Sequence, residues 1–276
     1  MTRKFWKMHG IGNDYIFFDC FAEELYEPEK LAVRLSDRHY SVGGDGIILV
    51  TKSAVADGGM RMFNADGSEG KMCGNGIRCV GKFLYEIKGI HKRELTVETL
   101  SGIKTLYLSV NGGEVSRVTV DMGKAVFSPQ EIPVKFDGKE VVNRVLEVDG
   151  KDYRATCLSM GNPHCVVFGD PNEIERAGRS FETHSAFPHS VNTEFVKVCA
   201  KNELAMRVWE RGSGETLACG TGACAAAVAA VKNGFCEEEA DITVHLRGGD
   251  LTVHYTGGAV SLTGPAEHSF SGEVQI

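Results

Sequence analysis

Hydrophobic and polar residues alternate along two separate stretches of the chain. In the first half the alternating segments are LTVET, KTLYLSV and VSRVTVDM, and in the second half they are ITVHL, LTVHY and AVSLTG. A period of two residues predicts β-strands with one buried face. The glycine-containing turns NGG, RGGD and TGG between them indicate antiparallel hairpins. The pattern therefore predicts a meander of three strands in each half.

An apolar helix is predicted before each meander. Residues 77–87 and 223–232 carry apolar side chains nearly all round, as in CVGKFLYEI and ACAAAVAAV. Gly89 and Gly234 follow these segments, where glycine commonly ends a helix. A helix without a polar face is typical of one enclosed by other elements. We therefore expect each helix to lie inside a β-structure.

The order of elements repeats, and the repeat includes a cysteine motif. MCGNGIRC at residues 72–79 and ACGTGACA at 218–225 each place a cysteine before Gly-x-Gly and a predicted helix. At an offset of 146 residues, Cys73 aligns with Cys219 and Asn64 with Glu210. We predict an α+β fold of two similar domains that arose by internal duplication. Each is a mostly antiparallel β-structure wrapped around a central apolar helix, with the active site in the cleft between them.

The domain boundaries follow from a segment rich in proline, glycine and charge, SPQEIPVKFDGKE, which marks the join. We expect residues 1–124 to form the first domain and residues 125–264 the second. The C-terminal tail, residues 265–276, is a candidate completion of the first domain.

Charge and cysteine content exclude several classes of protein. The 276 residues carry a net charge of −7, which gives no basic footprint for nucleic acid. The longest apolar run, residues 223–231, is too short to span a bilayer, and no signal peptide is recognisable. Nine cysteines in a chain of this size favour a reducing cytoplasm. Seven of them are predicted to pack as small apolar groups: Cys20, Cys79, Cys157, Cys165, Cys199, Cys224 and Cys236.

The other two cysteines carry the candidate chemistry. Backbone N–H groups and the macrodipole at a helix N-terminus favour negative charge, so a thiol there ionises more easily. The glycines let further N–H groups approach an anion. Two such sites facing each other would place a base and an acid on opposite sides of a stereocentre next to a carboxylate. The pair therefore predicts inversion of an amino-acid stereocentre.

Two other interpretations of the motifs fit less well. Structural zinc usually binds cysteine knuckles on loops, whereas the C-x₅-C and C-x₄-C spacings here place the second cysteine inside the helix. GTGACA matches a dinucleotide fingerprint, but the nearest predicted strand, residues 205–209, ends about ten residues earlier than that fingerprint requires. We therefore expect no metal and no cofactor.

Polar residues at strand ends are candidates for substrate binding. Asn13 and Asn162 occupy equivalent positions in the two halves. Arg211 in WERGSGE could clamp a carboxylate, and His164 could tune a neighbouring thiol. The ordinary alternatives are a turn-forming asparagine, a surface ion pair and a core histidine with satisfied hydrogen bonds.

Taken together, these segments resemble the diaminopimelate epimerase family. The resemblance rests on NADGSEGKMCGNGIRC and ERGSGETLACGTGACA, with KMHGIGNDY, DRHYSVGGDGIIL, GNPHCV and VNTEF, and it runs from about residue 5 to about 268. It implies an enzyme that interconverts LL- and meso-diaminopimelate without pyridoxal phosphate, on the route to lysine and peptidoglycan. It also implies a small-molecule substrate and a homodimer. The charge, the apolar runs and the cysteine content described above predict neither nucleic acid nor membrane as partner, and a cytoplasmic protein.

The resemblance assigns roles to individual residues. Cys73 and Cys219 match the two catalytic cysteines, and His164 and Glu210 match positions that modulate the thiol pKa values. The substrate-binding positions are matched by Asn13, Asn64, Gly74, Asn75, Asn162, Asn192, Glu210, Arg211, Gly220 and Thr221. Many relatives carry glutamine where this chain has Gly46, so that side-chain contact is absent here.

Two alternatives stay open at the level of sequence. One is a racemase of another amino acid, such as histidine, on the same fold. The other is a non-catalytic two-domain protein that holds an anionic ligand at its helix N-termini.

Overall fold

The computed structural model describes all 276 residues, which form two compact units. Unit 1 comprises Met1–Asp121 and Thr263–Ile276, and unit 2 comprises Met122–Leu262. In chain order, the strands and α-helices are β1 (Thr2–Gly10), β2 (Asn13–Cys20), α1 (Pro28–Leu35), β3 (Gly46–Thr51), β4 (Gly58–Asn64), β5 (Glu69–Gly70), α2 (Gly74–Glu86), β6 (Glu94–Thr99), β7 (Gly102–Asn111), β8 (Glu114–Lys124), β9 (Val141–Val148), β10 (Lys151–Ser159), β11 (Pro163–Phe168), α3 (Ile174–Glu182), β12 (Asn192–Ala200), β13 (Glu203–Glu210), β14 (Gly214–Thr216), α4 (Gly220–Lys232), β15 (Asp241–Leu246), β16 (Gly249–Tyr255), β17 (Ala259–Gly264) and β18 (Glu267–Gln275).

Unit 1 is a mixed sheet around helix α2. Strands β1 and β2 pair antiparallel, β2 and β3 pair parallel, and β3 and β4 pair antiparallel. The strands β6, β7 and β8 form the predicted antiparallel meander, and β18 pairs with β1. Helix α2 contacts β1, β2, β4, β6 and β7, and its residues from Gly74 to Leu84 are all buried. The chain's last strand thus belongs to the unit that contains its first.

Unit 2 repeats this order around helix α4. Strands β10 and β11 pair antiparallel, β11 and β12 pair parallel, and β12 and β13 pair antiparallel. Helix α4 contacts six of the strands, β10 to β13, β15 and β16. Its residues from Ala223 to Ala230 are all buried, which explains why this helix tolerates no polar face. The α+β fold with two similar β-rich halves, each around an apolar helix, is confirmed.

Both motif helices begin three residues earlier than the sequence pattern predicted. Helix α2 begins at Gly74 rather than residue 77, and α4 begins at Gly220 rather than residue 223. Cysteine is the N-cap in each case, because its sulfur accepts a hydrogen bond from the N–H group three residues later. The glycines of each Gly-x-Gly therefore belong to the first helical turn.

Two smaller expectations were wrong. The strand nearest to GTGACA does not end about ten residues too early, because the short strand β14 ends at Thr216, four residues before Gly220. This strand pairs antiparallel with β13, so it does not make the parallel βαβ unit of a dinucleotide site. Cys199 is exposed, because β12 leaves the core after Val196. The other six cysteines that were expected to pack are buried. No helix combines the length and apolar character that crossing a bilayer requires.

The buried thiols make the stability of the fold depend on alkaline pH. Burial raises the pKa of Cys79, on helix α2, to about 12, well above the ordinary thiol value of 9.0. The folded state then keeps a proton that the unfolded chain releases, so stability is fully present below the unfolded pKa and falls as pH rises from there toward the folded pKa. The free energy of unfolding should fall above pH 9, by up to about 1.4 kcal/mol per pH unit for this thiol.

Replacing Cys79 by alanine should flatten this alkaline loss of stability. We expect urea unfolding between about pH 8 and pH 10.5 to give a shallower decline for Cys79→Ala than for the unaltered chain, because one buried titrating group is gone. Cys199→Ala is the matched control, since this thiol is exposed rather than buried. Identical slopes in all three proteins would contradict the assignment.

Candidate functional site

In unit 1 three polar side chains meet at the N-terminus of α2. The Cys73 thiol donates to Oδ1 of Asn13 at 3.3 Å, and Nδ2 of Asn75 donates to the same oxygen at 3.3 Å. The Gly76 N–H donates to the Cys73 sulfur at 3.4 Å. Asn13 begins β2, and Asn75 lies in the first turn of α2. The strand end and the helix start thus bring together residues that are 60 or more positions apart.

The orientation of Asn13 is fixed by Asp45, which lies just before β3. Nδ2 of Asn13 donates to Oδ2 of Asp45 at 2.7 Å, and the backbone N–H of Asp14 donates to that oxygen at 3.0 Å. Arg38 donates to the other oxygen, Oδ1, at 2.8 Å. Because the amide nitrogen faces a carboxylate, the amide oxygen must face Cys73.

An ion-pair network links the loop before β3 to strand β2. Asp14 pairs with Lys7 at 2.5 Å and with Arg38 at 2.6 Å. Burial of Asp14 works against its charged form, but the hydrogen bonds from Arg38 and Lys7 prevail and lower its pKa. Arg38, in the loop before β3, thus joins this loop to Asp14 on β2, and Asp14 is also paired with the buried Lys7.

Tyr15 is a polar residue of this site that the sequence analysis missed. Its ring is buried, and its hydroxyl lies within hydrogen-bonding range of Cys73 and Asn13. Burial, together with the negative charges of Cys73 and Asp45, raises the pKa of Tyr15 well above its ordinary value. The phenol therefore stays neutral and can donate. The signal was available, since Tyr15 follows Asn13 by two residues as His164 follows Asn162.

In unit 2 a longer chain of polar groups ends at the N-cap of α4. Thr221 Oγ1 lies 3.5 Å from the Cys219 sulfur, and Nδ2 of Asn162 donates to Thr221 Oγ1 at 3.3 Å. His164 Nε2 lies 3.0 Å from Asn162 Oδ1. The Gly222 N–H donates to the sulfur at 3.3 Å. Strand β11 and helix α4 thus place four of the predicted residues in one hydrogen-bonded group.

Burial dominates the ionisation of Cys219. The side chain is buried, and this burial raises the pKa of its thiol well above the ordinary value. The negative charges of Glu210 and Glu194 raise the pKa further, while the hydrogen bonds of Thr221 and Gly222 partly offset them. At neutral pH the Cys219 thiol is therefore protonated and suited to donate a proton.

The remaining predicted residues bond mainly to their own surroundings. Asn64 donates to Ser68 Oγ at 3.0 Å, and Thr216 donates to Glu210 Oε1 at 2.5 Å. Asn192 accepts from the backbone N–H of Arg211 at 2.9 Å. The guanidinium of Arg211 is exposed and donates to the carbonyl of His189 at 3.0 Å. Gly74 and Gly220 are the first residues of α2 and α4, where N–H groups lack partners within the helix.

The sequence model of the diaminopimelate epimerase family matches residues 5–128 and 156–269. A diaminopimelate epimerase of Acetivibrio thermocellus is 49% identical over 278 residues, covering 99% of both chains. Another, of Methanococcus maripaludis, is 48% identical over 280 residues, covering 99% of this chain and 100% of its own. This chain belongs to the diaminopimelate epimerase family.

Solved structures of low sequence identity share the fold. A phenazine biosynthesis protein of Bacillus anthracis superposes with a TM-score of 0.73 at 20% identity, covering 100% of both chains. A hydroxyproline epimerase from Agrobacterium vitis has a TM-score of 0.69 at 14% identity, covering 99% of this chain and 92% of its own. At these identities the likeness concerns the architecture alone.

Gly46 is the position at which the sequence resemblance expects glutamine in many relatives. The surrounding backbone leaves no room for a side chain there. A Cβ atom on Gly46 would lie 2.1 Å from the carbonyl oxygen of Phe63 and 3.0 Å from Cε1 of Tyr15. Gly46 pairs with Tyr15 across the parallel strands β2 and β3. The ring of Tyr15 and the neighbouring backbone therefore fill the space that a longer residue would need.

Gly46→Ala should destabilise the protein, because the contact with a backbone oxygen cannot be relieved by a rotamer change. We expect the free energy of unfolding to fall by about 1–3 kcal/mol, measured by urea denaturation. The control is Gly258→Ala, where no heavy atom lies within 4 Å of the added Cβ, and we expect a change within about 0.5 kcal/mol. Equal stability of the two variants would show that the strand shifts freely.

Proposed function

We propose that this chain interconverts LL- and meso-diaminopimelate without a cofactor, with Cys73 and Cys219 as the acid–base pair. The observation that carries the proposal is the repeated N-cap: each unit presents one cysteine sulfur at the first turn of a buried helix. An asparagine bonds to Cys73 in unit 1 and to Thr221, next to Cys219, in unit 2. The relatives at 48–49% identity bear the name of this activity.

The proposed step moves one proton in and one proton out. The thiolate of one cysteine removes the Cα proton and becomes a thiol, and the electron pair of the broken bond delocalises into the adjacent carboxylate. The thiol of the other cysteine gives its proton to the opposite face of Cα and becomes a thiolate. No electron is gained or lost, so the step balances with the two sulfurs alone. The chemistry requires that both reach the same carbon.

Stabilising the carbanion-like state is the larger demand. We assign this to the N–H groups of Gly74, Asn75, Gly220 and Thr221, which begin the two helices and favour negative charge. One preorganised donor to developing charge is worth roughly 3 kcal/mol. His164 and Glu210 are proposed to modulate the ionisation of the thiols, since Glu210 acts on Cys219 through its charge.

Recognition of the distal, unreacting end is proposed for the asparagines and Arg211. Arg211 donates to one backbone carbonyl and retains further N–H groups for a carboxylate. The other proposed contacts come from Asn13, Asn64, Asn162, Asn192 and Glu210. Polar groups left unpaired by a substrate that lacks the second carboxylate would reject it strongly.

Proton NMR in D₂O tests the activity directly. The α-proton signal of LL-diaminopimelate should disappear, and meso product should appear, with reduced protein and no added cofactor. Cys73→Ser and Cys219→Ser should each slow the exchange by at least about 10²-fold, because each removes one acid–base group. Cys199→Ser, at an exposed thiol, is the matched control and should exchange normally.

The other outcomes separate the alternatives. Exchange of histidine but not of diaminopimelate would keep the two-thiol chemistry and replace the substrate. Absence of exchange with diaminopimelate, histidine and proline, from folded and reduced protein, would instead indicate a protein that only binds an anion. Lysine serves as the substrate control, since it lacks the second carboxylate and should exchange very slowly.

We further propose a homodimer in the cytoplasm, with a small molecule as the only ligand. A reducing compartment suits a reaction that needs two reduced thiols. Light scattering coupled to gel filtration should give about twice the chain mass of 29.9 kDa. A concentration-independent mass of a single chain would refute the dimer.

A further inference from the structure

A buried carboxyl stands at the far end of the polar chain in unit 2. Oε1 of Glu194, on β12, lies 2.7 Å from Nδ1 of His164, and both side chains are fully buried. His164 Nε2 then meets Asn162 Oδ1 at 3.0 Å, and Asn162 Nδ2 meets Thr221 Oγ1 at 3.3 Å. Four side chains thus connect a carboxyl to a hydroxyl that lies 3.5 Å from the Cys219 sulfur. The roles already assigned leave Glu194 without one.

The position of the protons follows from the acceptors. Oδ1 of Asn162 can only accept, so the Nε2 atom of His164 must carry a hydrogen. The Nδ1 atom can then face Glu194 in two ways. Either the imidazole is protonated and the carboxyl ionised, or the imidazole is neutral and the carboxyl donates. In both arrangements the pair holds two protons and has no net charge.

The surroundings favour a neutral pair over a lone carboxylate. Burial raises the pKa of Glu194, although His164 partly offsets this. The other titratable groups that face the pair are Glu210, Cys219 and Cys165, which when ionised are all negative. The second carboxyl oxygen, Oε2, is buried without a hydrogen-bond partner. A fully ionised carboxylate without a protonated histidine would be costly here.

The polarity of the rest of the chain follows from that of the pair. With Oδ1 turned to His164, Asn162 presents its NH₂ group to Thr221 Oγ1, which accepts. The Thr221 hydroxyl hydrogen is then available to the Cys219 sulfur. If Asn162 were flipped, its Oδ1 would instead take that hydrogen, and the sulfur would lose a donor.

We propose that Glu194 is a positioning residue that, by sharing two protons with His164, fixes Asn162 and aims the Thr221 hydroxyl at the Cys219 sulfur. The sulfur then receives two donors, the Thr221 hydroxyl and the Gly222 N–H, whenever it is a thiolate. Glycine at 222 is part of the arrangement, since a Cβ there would lie 2.8 Å from Glu194 Oε1. The consequence for catalysis rests on the proposed function, but the proton arrangement does not.

The decisive measurement is ¹⁵N NMR of the histidine side chains, with the His164 signals identified by their loss in His164→Gln. We expect Nε2 of His164 to be of the protonated type near pH 7.5, because its partner Asn162 Oδ1 can only accept a hydrogen bond. A signal of the unprotonated type at Nε2 near pH 7.5 would overturn the proposal. This reading does not depend on activity.

Two variants separate positioning from bulk packing. Glu194→Gln can donate its amide to Nδ1, so Nε2 should stay protonated and kcat should remain within about tenfold of the unaltered chain. Glu194→Ala removes the partner, and kcat should fall about 10- to 100-fold, the size of a lost hydrogen bond to a charged group, with a smaller change in KM. A Glu194→Gln variant that is folded, retains Nε2–H and is as impaired as Glu194→Ala would also overturn it.

A matched control lies in the same unit. His245 bonds to Glu203 at 3.1 Å and to Asp250 at 2.7 Å near the surface. Glu203→Gln should change the His245 signals and leave the His164 signals and the exchange rate unchanged. If the unaltered chain exchanges no α-proton yet shows the protonated Nε2, the proposed function fails while the hydrogen-bond polarity stands. If α-proton exchange is normal but Nε2 of His164 is unprotonated, the proposed function stands and the hydrogen-bond polarity is refuted.

Discussion

A buried helix has N–H groups at its N-terminus that need acceptors, and in both units a cysteine sulfur provides one. The sulfur atoms of Cys73 and Cys219 accept from Gly76 and Gly222. A larger residue at those glycines would meet its surroundings, since a Cβ on Gly76 would lie 2.6 Å from Ile48 Cδ1. The surrounding strands, the glycines and the sulfur position therefore serve one requirement: to bury a helix and still satisfy the N–H groups of its first turn.

At the N-terminus of each motif helix, burial and the helix dipole have opposite effects on the pKa of the cysteine thiol. The helix N-terminus favours a thiolate, while burial disfavours any charge. For Cys219 burial prevails, since the pKa of its thiol is raised well above the ordinary value. A group that is protonated yet lies beside donors suits a reaction in which a sulfur alternates between acid and base. In the proposed mechanism these donors are in place before charge develops on the sulfur.

The two units share the same strand pairing, but the residues that orient the asparagine near each cysteine differ. Tyr15 pairs with Gly46 across parallel strands in unit 1, and His164 pairs with Asn192 across the corresponding strands in unit 2. Asn13 is oriented by Asp45, which is held by Arg38, whereas Asn162 is oriented by His164 and Glu194. The Cys73 sulfur bonds to an asparagine that an ion-paired carboxylate orients. The Cys219 sulfur lies beside the Thr221 hydroxyl, behind which an asparagine, an imidazole and a buried carboxyl follow in series.

The sequence by itself determined the repeat, the meanders, the apolar helices and the family. The meanders and helices depend on local patterns, a period of two or an apolar run, whereas the repeat and the family depend on motifs that recur in order along the chain. It placed the helix starts three residues late, because the apolar pattern begins only after the two glycines of each motif. Only the tertiary structure decided the partners of the asparagines. Asp45 and Glu194 reach Asn13 and His164 across parallel strand pairs, and their spacing of about 30 residues depends on the length of the crossover. The structure also decided that Gly46 admits no side chain, because the obstacle is a carbonyl on β4. Side-chain orientation is set by hydrogen bonds between distant segments, and no local pattern contains them.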